Sequence, residues 1–555
     1  MQAEERDPVA QAMRQYAEEL TRWREHRNLS KGGLATLMTY DRSYVSQIEG
    51  CHLPPTEDFT RRAEAVLDTG GALWQRWETY EHGKGRRRNR PPGRSAWPAG
   101  QDRPRELQVT TLEFVAWIAD HSRLSFEEAY EAVMARIARL RAGAPSVRHA
   151  VAHRRSRVTR DQLAHALVAY YNGSSEGEIG TTFYRARVGE AAITLSILLR
   201  PSWLRAAVRL DTDQERFRLT TPAVDVSDGP LEEPVVDAAL HRVAEAEVAG
   251  TAFVNNPLYR LLDVTIERHR LEATVALTDF ASYALTMDLL ELELVDALTA
   301  SGTQLSGRDS IHSSNSAART PLRDLYLPTV PSALALGQRL CAGGPVCLLA
   351  IARGGTRRGG RDRDFLLVVQ ERSSRVLNVM SRLAVIPKAF HAPISDPSQE
   401  ASLSASLERE LEEELLGRQD LEQLSEASHR QGDPLHPNRL SEPIKWLVDR
   451  RQSDAYRAEC VGFGINMVSG NYEFPCLIVI DDEEWWARYG GQVVANWEVA
   501  RIRCYSSRDK AGLHALATDP GWSNEGLFAF LEGLRRLAEL DTVSRLALPS
   551  IGVEV

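Results

Sequence analysis

The sequence predicts a multidomain α+β protein, with an N-terminal all-α bundle, a mixed middle domain and a C-terminal α/β sandwich. Three observations carry this expectation. At 555 residues the chain is longer than one hydrophobic core usually organises. Apolar residues recur at three- and four-residue spacing near the N-terminus and again over 107–160, whereas runs of Val, Ile, Leu and Phe resembling strands fill much of the last third. Between these lie two stretches with little apolar content, 83–106 and 301–322, which mark boundaries.

The elements follow in order. A helical domain is expected over 10–82. Next comes GKGRRRNRPPGRSAWPAGQDRPRE, a basic linker over 83–106 whose prolines oppose a continuous helix and whose composition cannot supply a core. Over 107–160 the segment LSFEEAYEAVMARIARLRA reads as a helix with an apolar face for a neighbour or a homodimer contact. A mixed α+β domain over 161–300 contains the strand-like GEAAITLSILL and RLEATVALTDF and the helical FASYALTMDLLELELVDALTA, and no role follows from it. After the Ser-, Gly- and Asn-rich loop 301–322, a last domain spans 323–555. Its strands are PVCLLAIA, DFLLVVQERS, RLAVIPKAF, AECVGFGINMV, PCLIVID and VARIRCYS, with a helix from about Ser398 to Leu416 and a terminal helix at GLFAFLEGLRRLAEL.

Composition excludes several function classes. No apolar run approaches the ~18 residues a membrane span requires, and the acidic start MQAEERDPVA lacks the basic and apolar regions of a secretory signal, so a cytoplasmic protein with no membrane partner is expected. The cysteines, Cys51, Cys341, Cys347, Cys460, Cys476 and Cys504, form no spaced pairs of a zinc site or a disulfide framework and read as reduced thiols. Cys51 and His52 are adjacent but lack a second ligand pair. The net charge of -9 does not suggest nucleic acid, yet Lys84, Arg86, Arg87, Arg88, Arg90 and Arg94 form a local basic run with no acid among them.

The strongest local signal runs from about Tyr16 to Trp77. Ser30 is placed to cap a short helix containing Leu34, Ala35 and Leu37, and Asp41 a second helix containing Val45 and Ile48, with a tight turn at Met38 to Tyr40. This is the pattern of a helix-turn-helix, whose second helix enters the major groove of double-stranded DNA. Arg42, Ser43 and Tyr44 are then the base-edge candidates, Arg42 offering a fork to guanine. Ser43, Ser46 and Gln47 reach bases or phosphates, and Lys31 suits a phosphate.

The stretch LSKGGLATLMTYDRSYVSQIEGCHLPPTEDF resembles the XRE family of Cro and lambda-repressor-type DNA-binding domains, especially its actinobacterial branch. Leu29, Ser30, Leu34, Ala35, Ser43, Ser46, Ile48, Glu49, Gly50 and Pro55 fall where the family pattern expects them, and TGGALWQRWE is similar to that branch as well. The departures are Lys31, where glutamine is common, and Thr39, where a turn glycine is common. The resemblance implies a sequence-specific transcription regulator, and it gives Glu49 a part in closing the helical unit rather than a DNA contact.

A second signal lies in EASLSASLERELEEELLG. Leu403, Leu407, Leu411 and Leu415 form an apolar stripe, while Glu410, Glu413 and Glu414 are three or four residues apart, with Glu414 inside that stripe's sector and Glu410 near its edge. Clustered carboxylates repel unless a cation or base compensates them, and hard oxygen ligands suit magnesium bridging a diphosphate. The order of strand, RLAVIPKAF, loop and Arg409-Glu410-Leu411-Glu412-Glu413-Glu414 helix resembles the Nudix fold. That resemblance implies an orienting role for Arg409 and metal carboxylates at Glu410, Glu413 and Glu414. The departures are Ser395 and Ala401, where a loop glycine and an acid belong, with Glu400 one position off, and LLG at the end. A degenerate module sensing a nucleotide-derived effector leads this reading. An active diphosphate hydrolase, a protein-interaction module and an acidic helix without a ligand remain alternatives.

Overall fold

The computed structural model describes residues 8–27, 29–38, 45, 48–49, 55, 57–67, 69, 72–74, 76–77, 80, 107, 109–143, 158–172, 180–220, 230–251, 254–300, 320–353, 364–372, 382–394, 396–416, 440–451, 453–493, 499–541 and 546–554. They fall into two compact units, Met1–Val109 and Thr110–Val555. The basic linker 83–106, the loop over 301–319, and Asp41, Arg42, Ser43, Tyr44, Ser46, Gln47, Cys51 and His52 lie outside the described residues.

The first unit is all-α. Helices Pro8–His26, Lys31–Met38 and Glu57–Leu67 surround a core of Tyr16, Leu20, Leu34, Ala35, Met38, Val45, Ile48, Phe59, Ala63, Leu67 and Leu73. Ser30 starts the second helix: its hydroxyl accepts the Gly33 N–H at 3.0 Å, which satisfies one of the donors a helix leaves unpaired at its start. Leu34 and Ala35 point into the core, whereas Leu37, one residue off that face, is 58% exposed.

The second unit is α+β. Its strands are β1 (Thr182–Val188), β2 (Ala191–Leu199), β3 (Leu204–Arg209), β4 (Glu215–Leu219), β5 (Pro257–Glu267), β6 (Arg270–Asp279) and β7 (Gly343–Arg353). They continue with β8 (Asp364–Arg372), β9 (Leu383–Val385), β10 (Tyr456–Gly462), β11 (Gly464–Asn466), β12 (Asn471–Ile480), β13 (Val499–Ser506) and β14 (Ile551–Glu554). Among the described residues an eleven-stranded sheet runs β13-β8-β7-β12-β11-β2-β1-β14, with β10 joined to β12 and β3, and β9 to β8. A smaller sheet has the order β4-β6-β5.

The centre of the large sheet is β12, buried along its whole length. It lies parallel to β7 from Tyr472↔Gly343 to Ile480↔Ile351. Both strands are nearly continuous apolar runs, as expected where both faces of a sheet are covered. One cover is the C-terminal helix Asn524–Leu540, whose Leu527, Phe528, Phe530, Leu531 and Leu534 are buried. Gly343 makes the start of the pairing possible, since a Cβ there would lie 1.9 Å from the Tyr472 carbonyl oxygen.

The expected mixed domain 161–300 and the expected Nudix-like domain 323–555 share this sheet. β2 pairs with β11, β3 with β10 and β1 with β14. Local pattern reveals a strand but not which distant edge will satisfy its N–H and C=O groups. The segment 107–160 forms helices Val109–Asp120 and Phe126–Gly143, and the second packs on Glu233–Ala249 of the same chain, with an Arg136–Asp237 ion pair. In RLAVIPKAF only Leu383–Val385 is a strand. The helix expected from Ser398 begins at Leu403, because Glu400 folds back to accept the Ile394 and Asp396 N–H groups and Ser402 provides the cap. It ends as a π turn at Leu411–Leu415, with Leu403, Leu407, Leu411 and Leu415 all buried as the stripe predicts.

Gly343→Ala drives a methyl group into backbone at the core of the sheet, and a loss of roughly 1–3 kcal/mol is expected from overpacking. Urea unfolding of the full chain followed by tryptophan fluorescence checks this; an unchanged midpoint would show that β12 moves aside freely.

Candidate functional site

In the bundle, one buried carboxylate ties three elements together. The Glu49 side chain, 3% exposed, accepts from Arg24 Nε at 2.6 Å and Nη2 at 3.2 Å, and Lys31 Nζ lies 3.2 Å away. Arg24 also donates through Nη1 to the Leu29 carbonyl at 2.8 Å, which fixes the turn before the second helix. Hydrogen bonding to Glu49 holds the Arg24 guanidinium above its ordinary pKa, against the opposing effect of burial. Glu49 therefore joins the first helix to the start of the second through Arg24 and Lys31. Lys31, expected at a phosphate, spends one contact on Glu49 and keeps its side chain 38% exposed.

The carboxylate helix presents a different picture from three parallel metal ligands. Glu414, 1% exposed, accepts the Lys388 backbone N–H at 2.9 Å through one oxygen, and the other lies 3.4 Å from Gln370 Nε2. Glu412, fully buried, accepts the Ser441 N–H at 2.6 Å. Arg409 donates to the Ala392 carbonyl at 2.9 Å, and its Nε lies 3.8 Å from Glu410 Oε1. Glu413 is 7% exposed. Among the described residues no group of three or more His, Cys, Asp or Glu is placed to hold a metal ion. Glu412 and Glu414 each anchor a loop through a backbone N–H group. The π turn also changes the α-helical spacing on which the shared face of Glu410, Glu413 and Glu414 is reckoned.

The helix instead supports a neighbouring cleft. By holding the Lys388 backbone, Glu414 positions a side chain that lines a cavity of about 100 Å³, together with Asn466, Asn471 and Glu473 of the central strands and Asn524 and Glu525 at the start of the C-terminal helix. The turn between β11 and β12 is fixed from beneath by two arginines. Arg323 donates to the Met467 and Val468 carbonyls, each at 2.6 Å, and Arg339 to Gly470 at 2.7 Å. Gly470 has φ 74°, a left-handed conformation that favours glycine.

Charge in the cleft is closely managed. Lys388 Nζ donates to Glu525 Oε1 at 2.6 Å, and Asn466 Nδ2 lies 3.3 Å from Glu525 Oε2. Burial pushes the Glu525 carboxyl up, but the Lys388 ammonium, together with hydrogen bonds from Ser523 and the Glu525 backbone, holds it below the usual range. Glu473 is 5% exposed; burial first, and the neighbouring Glu525 charge second, push its pKa to about 8, with Lys388 opposing. Its carboxyl is therefore mainly protonated at neutral pH. Sequence reasoning passed over these residues because they come from distant segments without a shared motif. The available signal was a carboxylate inside the otherwise apolar run of β12, which a buried strand tolerates only with a purpose or a partner.

No protein-family model matches the chain, and no curated protein matches it.

Two outcomes follow from this geometry. Glu49→Ala strands a largely buried Arg24 and should cost the bundle roughly 1.5–3 kcal/mol, the range for hydrogen bonds to charged groups. Amide hydrogen exchange of peptides spanning 31–49 should accelerate correspondingly; unchanged protection would mean that the ion pair contributes nothing. Glu473 keeps its proton in the folded chain up to about pH 8, whereas an unfolded glutamate loses it near 4.3. Its contribution to stability is thus full below the unfolded value and is lost as pH rises toward the folded one, at up to about 1.4 kcal/mol per pH unit. Glu473→Gln should remove that slope between roughly pH 5 and 8, leaving the similar but separate contribution of Glu408, which burial pushes to about 7. Equal pH slopes in the variant and the parent, measured by urea denaturation, would place the Glu473 proton elsewhere.

Proposed function

We propose that this chain is a sequence-specific DNA-binding transcription regulator, reading double-stranded DNA through its first unit, with the second unit serving as a ligand-sensing or partner-binding module. The observation that carries the reading is the bundle itself. Leu34, Ala35, Val45 and Ile48 are buried together at the spacing of a helix-turn-helix, and Glu49 closes the unit through Arg24 and Lys31. In a helix-turn-helix such a core anchors the helix that enters the groove, and in this reading the polar residues interspersed with Val45 and Ile48 in the sequence are the ones that face the DNA. In this reading Arg42 forks to a guanine edge, Ser43, Tyr44, Ser46 and Gln47 contact bases or phosphates, and Lys31 adds a phosphate contact. The run from Lys84 to Arg94 adds affinity of the sequence-independent kind. Among the described residues no helix is long and apolar enough to cross a membrane, which is compatible with this role.

Selection of fragments from a random DNA pool by the purified full chain tests the proposal; enrichment of no sequence above the input would reject it. With a selected site in hand, Arg42→Ala should weaken specific binding by about 1–3 kcal/mol and relax preference at one base pair. Equal weakening on selected and random duplexes would reassign Arg42 to the phosphate backbone.

A further inference from the structure

The helix Phe126–Gly143 carries two stripes, and the fold covers one of them. Ala129, Val133 and Ile137 are buried where the helix packs on Glu233–Ala249. Roughly a third of the way round the helix runs a second stripe, Glu127, Tyr130, Met134, Ala138 and Arg141, spaced by three or four residues and therefore on one side. Glu127, Ala138 and Arg141 are exposed, and Tyr130 and Met134 are half-buried. At the start of this stripe Phe126 is 40% exposed and stacks on Tyr130, with 6.3 Å between the ring centroids.

The charges of the helix divide into those that the fold employs and those that it leaves open. Glu128 accepts the Ser125 N–H at 2.8 Å and the Ser125 hydroxyl at 2.9 Å, which fastens the start of the helix, and Arg136 pairs with Asp237. Glu127 and Arg141 stand at the two ends of the stripe and have no ion-pair partner among the described residues.

This stripe is complementary to itself in one orientation. Two copies laid parallel would set Glu127 against Glu127 and Arg141 against Arg141, and like charges repel. Laid antiparallel about a two-fold axis at Met134, each Glu127 meets the Arg141 of the second copy, because both lie seven residues from Met134. Tyr130 and Ala138 each lie four residues from it, so a large side chain faces a small one. The acid, the aromatic ring, the methyl group and the base thus match under a single symmetry operation.

We propose that this face joins two copies of the chain as an antiparallel helix pair, with Met134 at the centre and a Glu127–Arg141 ion pair at each end. An 18-residue helix is about 27 Å long, so one such pair lies near or below the roughly 1,200 Å² at which stable interfaces begin. The association is accordingly weak, with Kd on the order of 10–100 µM. It requires no DNA and stands or falls apart from the reading of the first unit.

Sedimentation velocity of the full chain without DNA, over about 1–200 µM, tests the assignment. The parent should pass from monomer to dimer across that range. Glu127→Arg or Arg141→Glu alone sets like charges together at both ends and should weaken association by about fivefold to tenfold, and Met134→Asp should do so by placing two carboxylates at the axis. The double variant Glu127→Arg, Arg141→Glu restores opposite charges across the pair and should recover the parent affinity to within about twofold. Helix stability alone gives the reverse order, since acids favour a helix N-terminus and bases its C-terminus, so a loss through fraying would be greatest in the double variant. A monomer throughout the range overturns the proposal, and so does a dimer that neither single charge variant weakens, which would mean that the copies meet elsewhere. Failure of a folded double variant to recover overturns it too. Should the double variant lose helix by circular dichroism, an undiminished dimer in Met134→Asp would overturn the proposal independently.

Discussion

The parallel pairing of β12 with β7 is the constraint on which the second unit depends. Parallel strands cannot be joined by a tight turn, so the chain between them must travel, and here it travels through β8, β9, the carboxylate helix, β10 and β11 before returning. Everything placed along that excursion inherits its position from the register that Gly343 permits against Tyr472. The arginines Arg323 and Arg339 then set the turn leading into β12 by saturating its carbonyls. A cleft forms at the beginning of β7 and β12, on the side where Asn471 and Glu473 stand.

Carboxylates in this unit recur as acceptors for backbone N–H groups that would otherwise be stranded. Glu215, from β4 of the small sheet, accepts the Leu403 N–H at 2.6 Å and the Ser404 hydroxyl at 3.0 Å at the start of the carboxylate helix. Glu400, Glu412 and Glu414 do the same for the loops at 394–396, 441 and 388. A charge-assisted bond of this kind is stronger than a neutral one and supports loops that secondary structure cannot reach. The acidic richness of 408–414 is accounted for in part by this work, and its product is the placement of Lys388 opposite Glu525.

How much of this was legible varies with the range of the interaction. Ser30 as a cap, Leu34, Ala35, Val45 and Ile48 as core, and the leucine stripe of 403–415 were readable because each depends on neighbours within one or two helical turns. The start of the carboxylate helix was misplaced by about five residues because Glu400 competes for nearby backbone donors. The metal reading of Glu410, Glu413 and Glu414 rests on helical spacing and on the likeness to the Nudix fold; the π turn alters that spacing, and one Glu414 oxygen accepts the Lys388 N–H.

By itself the sequence determined the α+β class, the apolar faces of the helices, most strands of the last third and the anchors of the N-terminal bundle. These follow from periodicity, capping and side-chain size, which act locally. Only the tertiary structure decided that β1, β2 and β3 complete the same sheet as β7 to β14, because strand edges are satisfied by partners far away in the chain. It alone also decided that Lys388, Asn471, Glu473 and Glu525 meet around one cavity. The pKa of Glu473 arises there, since burial and a neighbouring charge are properties of a place in the fold and not of a residue in a string.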